Sequence, residues 1–167
     1  MVRGRAHPRL LQTAAYARKL VSDRLPPQND ETVEERVVTR LERQALLTGR
    51  KPPVACCFLL YEAALRSPLV DREQPERLSE ASRLRNIVTQ VPSFERAFSN
   101  ALEGPTVLIE TRDRERYAFA EGAFASELTA DPGSVARVTE SLGMIRTRAL
   151  DPDESARFIE RMVKGRE

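Results

Sequence analysis

Apolar residues recur at three- and four-residue steps in five stretches of this chain, a spacing that predicts amphipathic helices. Leu10, Ala14, Ala17 and Val21 form such a stripe in the first stretch. The last two stretches each begin with Asp-Pro, which suits an N-cap residue followed by the first helical turn. The predicted helices cover residues 8–25, 30–48, 75–91, 131–148 and the stretch from residue 151 onward.

Other apolar runs are too short for helices and predict strands. Residues 54–60 (VACCFLL) follow two prolines, which predicts a central strand buried on both faces. Residues 106–111 and 116–121 flank a charged turn and predict a hairpin, with Tyr117 and Phe119 on one face. Together these elements predict an α+β fold, a small and mainly antiparallel sheet packed against several helices.

Composition narrows the organisation of the chain. A length of 167 residues, 41% hydrophobic and 31% charged, predicts a flexible segment over residues 1–6 and one α+β domain over residues 7–167. The sequence shows neither a signal peptide nor an apolar run of membrane-spanning length, so we expect a cytoplasmic protein without a membrane segment. The 27 basic and 25 acidic residues give a net charge of +2, which argues against direct DNA binding.

The sequence carries no strong catalytic motif, and it predicts neither a cofactor nor a metal site. His7 is the only histidine and lies near the start of the chain, where we interpret it as a bystander rather than a general base. Cys56 and Cys57 are the only cysteines, and two adjacent thiols with one histidine are too few for a zinc site. We expect both thiols to be buried, reduced and unreactive.

An arginine stripe runs along the second predicted helix, where Arg36, Arg40 and Arg43 follow one another at four- and three-residue steps. It could be a solvated face whose charges are balanced by neighbouring glutamates. It could equally be a docking strip for an acidic partner or ligand. Both interpretations stay open at the level of sequence.

A polar cluster is predicted around Glu62, which stands at the end of the apolar strand and needs a hydrogen-bond donor. Arg40, Arg43 or Arg66 could supply bidentate bonds, either as a structural clamp or as part of a ligand pocket. Any cavity large enough for a ligand should then adjoin this cluster. The candidate ligand- or partner-binding residues are Gln12, Tyr16, Arg40, Arg43, Gln44, Tyr61, Glu62, Arg66 and Glu121.

Four segments of the chain resemble one family in order and spacing. They read HPRLLQTAAYAR (7–18), RLERQ (40–44), YEAALR (61–66) and ALDPDESARFI (149–159). They are similar to the C-terminal effector domain of WhiJ-like, antitoxin-like regulators with an XRE-type helix-turn-helix, from high-GC Gram-positive bacteria. Two positions depart from that pattern, since Arg9 replaces the usual glycine and Tyr61 an acid. The resemblance favours a strand over residues 93–101, which from the residues alone could also close a helical turn.

The resemblance implies a regulatory sensor or protein-interaction module that binds a small partner protein or a metabolite. The family normally carries a DNA-binding helix-turn-helix ahead of this region, and we find no such motif in this sequence. The alternative is a scaffold recruited for small-molecule binding or for cofactor-independent biosynthetic chemistry of the isomerase, cyclase or dehydratase type. Such an enzyme would use Glu62, Tyr61 and Glu110 for acid/base steps. The oligomeric state is open, with a homodimer among the options.

Overall fold

The computed structural model describes residues 7–96, 104–122 and 125–165, and within them the fold is α+β, as predicted. The helices are α1 (Ala14–Ser22), α2 (Asp30–Arg43), α3 (Glu62–Leu65), α4 (Glu73–Ser82), α5 (Pro132–Arg148) and α6 (Pro152–Lys164), with 3-10 helices at Arg9–Leu11 and Gln44–Leu47. The strands are β1 (Cys56–Leu59), β2 (Ile87–Gln90), β3 (Thr106–Glu110), β4 (Arg116–Glu121) and β5 (Ser126–Thr129). No helix in these ranges is long and apolar enough to cross a membrane.

The strands form two separate sheets. β1 and β2 pair in parallel, and β3, β4 and β5 form an antiparallel sheet in that order. The predicted β3–β4 hairpin is confirmed. The predicted flexible start at residues 1–6 and residues 97–101 of the predicted strand at 93–101 lie outside the described residues, and residues 93–96 are not a strand.

Local capping signals explain where the helices begin. The Asp151 carboxylate accepts from the Glu154 N–H, and the Glu154 side chain accepts from the Asp151 N–H, so α6 starts with a capping box. The side chain of Asn29 caps α2 by accepting from the Thr32 N–H, so the helix begins at Asp30 as predicted. The first predicted helix is broken, since Thr13 caps a new helix after the 3-10 turn.

The prediction of a central strand buried on both faces is wrong. Among the described strands β1 pairs with β2 alone, and its residues are mostly half-buried, with Cys57 exposed. The prediction of one helix over residues 75–91 is wrong in its second half. α4 ends at Ser82, and Ile87–Gln90 instead pairs with β1, because β-branched Ile87 and Val88 suit a strand that packs over the core.

The hydrophobic core lies under the parallel pair, where α4 and α6 pack against β2. Its buried members are Leu11, Leu47, Leu60, Leu65, Leu78, Ala81, Ile87, Val91 and Ile159. Ser155 of α6 is fully buried and ties this core to β2, since its hydroxyl accepts from the Val91 N–H at 2.9 Å.

We expect the two thiols to react at different rates. Cys57 is exposed, whereas burial, followed by the neighbouring Cys57, raises the pKa of the Cys56 thiol. A Cys56→Ser variant, which keeps Cys57, should therefore be alkylated several times faster under native conditions than Cys57→Ser, as followed by mass spectrometry. As the control, the two variants should react at equal rates after unfolding. Equal rates in the folded protein would contradict the assignment of Cys57 as the more exposed thiol. The expectation of two buried cysteines is thus wrong, since Cys57 is exposed and Cys56 is half-buried.

Candidate functional site

The predicted polar residues of the N-terminal half form one network centred on Gln12. Gln12 lies in the break between the 3-10 turn and α1 and is buried. Its amide nitrogen donates to the His7 carbonyl at 2.7 Å, and its amide oxygen accepts from Arg40 Nη1 at 3.0 Å. Gln44 donates to the Gln12 carbonyl at 2.6 Å. The predicted single cluster around Glu62 is divided in the structure, since Gln12, Arg40 and Gln44 meet here whereas Glu62 bonds to Arg66 and Phe94.

Tyr16 joins the same region from α1 and is fully buried. Its hydroxyl accepts from the His7 N–H at 3.3 Å, and the two rings meet edge to face at 4.9 Å. Burial raises the pKa of Tyr16, and the hydrogen bond from His7 opposes that shift only in part. His7 is itself buried against this ring.

Gln74 is a member of this network that sequence reasoning missed. It is fully buried at the start of α4, where its side-chain oxygen accepts from the Thr13 N–H at 2.8 Å and its nitrogen donates to the Leu11 carbonyl at 2.7 Å. These two hydrogen bonds connect α4 to the break between the 3-10 turn and α1. A lone glutamine ahead of a predicted helix gives no local signal of such a role.

Arg40 of this network lies one helical turn from Arg36 on α2, and the charges of Arg9 and Arg24 also act on it. Arg9 Nη2 binds Glu121 Oε1 at 2.9 Å, which ties the end of β4 to the N-terminal turn. Burial lowers the pKa of Arg40, and the charges of Arg9, Arg24 and Arg36 lower it further, while Glu121 opposes them. We call Arg9, Arg24, Arg36 and Arg40 the basic cluster. Arg43, although predicted as a site residue, is exposed.

Glu62 and its partners form a second polar group. Glu62 is buried and accepts from Arg66 Nε at 2.6 Å and from the Phe94 N–H at 2.8 Å. Tyr61 meets the Phe94 ring edge to face at 5.6 Å, and the Arg66 guanidinium lies over the Phe158 ring. The predicted contact between Glu62 and an arginine is confirmed with Arg66. Within the described residues, no hydrogen bond or ion pair joins this group to the Gln12 network.

We expect Glu62 to act as a structural clamp. Glu62→Gln should lower the free energy of unfolding by about 1–3 kcal/mol, because it removes the charge that two donors share. Thermal or urea unfolding measures this, and Glu160→Gln at an exposed position of α6 is the matched control, with a change within about 0.5 kcal/mol. Unchanged unfolding of Glu62→Gln would mean that the carboxylate is not structural, and a binding role would then be favoured.

Glu110 stands apart from Glu62 and Tyr61. It lies on the β3–β4 hairpin, where Arg114 and Arg116 donate to its two oxygens at 2.7 and 2.9 Å. These hydrogen bonds lower the pKa of Glu110, so it remains an ionised carboxylate near neutral pH. The proposed set of Glu62, Tyr61 and Glu110 is therefore distributed over two parts of the fold.

A shallow surface depression of about 400 Å³ is lined by Glu95, Arg96, Thr147 and Arg148. None of these is among the predicted site residues, although Glu95 follows Phe94, the partner of Glu62. The expectation that a ligand-sized cavity adjoins the predicted cluster therefore stays a prediction. Among the described residues, no group of histidine, cysteine or carboxylate side chains could hold a metal ion.

One face of the antiparallel sheet is apolar, with three exposed and two half-buried side chains. Its residues are neighbours through the strand register and lie on one side by alternation. We call it the apolar sheet face, and its members are Val107, Ile109, Tyr117, Phe119 and Leu128. The exposed fractions are 46% for Val107, 43% for Ile109 and 62% for Leu128. The opposite face, with buried Ala118, packs against α5.

Comparison with known proteins gives one family match. A family model described as a domain of unknown function (DUF5753) matches residues 2–161. Neither a curated protein nor a solved structure matches the chain.

Proposed function

The chain belongs to the DUF5753 family, and from this premise we propose that it is a regulatory protein-interaction module that binds a partner protein through the apolar sheet face. The exposure of that face carries the proposal. Three aliphatic side chains stand together around two aromatic rings on a sheet that is covered by α5 on its other side. Contiguous exposed apolar surface of this kind marks interaction sites.

The polar residues support an interaction module over a ligand pocket. Gln12, Gln74 and Glu62 each hydrogen-bond to backbone groups of this chain, so they stabilise its loops. Polar atoms that converge on an enclosed cavity would instead favour the alternative of small-molecule binding or acid/base chemistry.

The motif segments support the regulatory context. Their resemblance to the effector domain of WhiJ-like, antitoxin-like regulators is consistent with a cytoplasmic module in transcription regulation, whose partner is a protein. The balanced net charge of +2 supports a partner other than DNA.

A capture experiment tests the proposal. Leu128→Glu places a charge at the most exposed point of the apolar sheet face, and a charge buried in an apolar contact is costly. Proteins from the host cell extract that bind the unmodified chain should be lost, or weakened by roughly tenfold or more, with Leu128→Glu. Quantitative mass spectrometry of the bound fraction measures this.

Met144→Glu is the matched control. Met144 is an exposed apolar residue of α5, which packs on the opposite side of the sheet, and its substitution should leave binding unchanged. Circular dichroism melts should show that both variants are folded. The proposal is contradicted if all three forms bind the same proteins, or if the unmodified chain binds none.

A further inference from the structure

The basic cluster borders the apolar sheet face. Glu121 ends β4 and shares a face with Tyr117 and Phe119 by strand alternation. Arg9 binds this glutamate at 2.9 Å, and Glu121 also attracts Arg40. One end of the apolar sheet face therefore meets the arginines at Glu121.

Arg40 is repelled by the other three arginines of this cluster. The positive charges of Arg9, Arg24 and Arg36 disfavour the charge of half-buried Arg40, and the negative charge of Glu121 opposes this repulsion. Glu34, a nearby acid of α2, is engaged by Arg18, whose Nη2 lies 2.8 Å from its carboxylate. Holding like charges together costs free energy, and an anionic partner would relieve that cost.

We infer that the apolar sheet face and the basic cluster together bind an acidic segment of a partner protein that also carries apolar side chains. The inference rests on the proposed function and names the chemistry of its partner. Aliphatic or aromatic side chains of the segment pack on Val107, Phe119 and Leu128. Its carboxylates lie towards Arg9, Arg24 and Arg36.

A protein segment fits this surface better than the two other candidate occupants. A DNA backbone supplies negative charge but leaves the exposed leucine, valine and isoleucine without an apolar partner. A second copy of this chain would supply apolar side chains. Where its basic cluster faced this one, however, the like charges would oppose binding.

The test starts from a random peptide display library selected against the unmodified protein. We expect the enriched peptides to combine Asp or Glu with Leu, Ile or Phe. The consensus peptide, carrying a fluorophore, is then titrated with each protein form and followed by anisotropy. Leu128→Glu and Arg36→Glu should each weaken its binding by roughly tenfold or more, and added salt should weaken it further.

Arg85→Glu is the matched charge-reversal control, since Arg85 is exposed and lies outside the basic cluster. It should leave the affinity unchanged, and thermal melts should show that every form is folded. If Leu128→Glu weakens binding but Arg36→Glu does not, or if the consensus peptide contains no acidic residue, the inference of an acidic partner is overturned. The proposed function is then retained. A consensus whose binding ignores Leu128→Glu would overturn both.

Two further experiments distinguish the acidic segment from the other candidate occupants of this surface. Labelled duplex DNA that binds with a steep salt dependence, and loses binding with Arg36→Glu but not with Leu128→Glu, would overturn the inference in favour of a nucleic acid. A dimer in sedimentation velocity that Leu128→Glu dissociates would overturn it in favour of a second copy. We expect neither result.

Discussion

Gln74→Ala is expected to lower the free energy of unfolding by about 2–5 kcal/mol, as judged from the cost of emptying a buried site and leaving polar groups unpaired. The side chain is fully buried and bridges the Thr13 N–H and the Leu11 carbonyl. Both backbone groups belong to the break before α1, so the substitution leaves a donor and an acceptor without their bond and opens a cavity. Urea unfolding followed by circular dichroism measures the change.

Glu73→Ala is the control for this prediction. It removes an exposed side chain from the neighbouring position of α4 and should change the free energy by no more than about 0.5 kcal/mol. A Gln74→Ala variant as stable as Glu73→Ala would show that α4 does not hold the N-terminal turn in place.

Leu60→Ala is expected to cost about 2–5 kcal/mol, since a buried leucine leaves a cavity that the core fills only in part. Leu60 follows β1, is 2% exposed and belongs to the core under the parallel pair. Val54→Ala, at an exposed position ahead of the same strand, should change stability little. A cost for Leu60→Ala no larger than for Val54→Ala would contradict the placement of the core.

Helix starts could be predicted from the sequence because their signals are local. Asp131 and Asp151 each accept a hydrogen bond from the backbone three residues later, and each is followed by proline. The contact between Glu62 and Arg66 was also accessible, since helical residues four apart are neighbours.

Features that depend on distant parts of the chain could not be predicted in this way. The apolar run of β1 predicts a strand, but its burial depends on how many strands flank it, and within the described part of the chain β2 alone pairs with it. β2 itself lies in a stretch with helical periodicity, which parallel pairing overrides. Gln74 acts on residues about sixty positions away.

The apolar sheet face combines features that the sequence predicts with features that it does not. Alternation placed Tyr117 and Phe119 on one side of the hairpin, in agreement with the structure. The sequence of β5 offers only Leu128 as an apolar residue, so the third strand was not predicted. Which side of the sheet α5 covers is a tertiary choice, and the exposure of the other side follows from it.

Hydrogen exchange with mass spectrometry tests the role of the apolar sheet face most directly. The unmodified protein is compared alone and saturated with the consensus peptide from the display selection. We predict slower exchange over residues 106–110, 116–121 and 126–129 in the complex, and unchanged exchange beside the depression lined by Glu95 and Thr147. Protection at that depression or at Tyr61, with β3 to β5 unchanged, would contradict the assignment of the sheet as the docking surface.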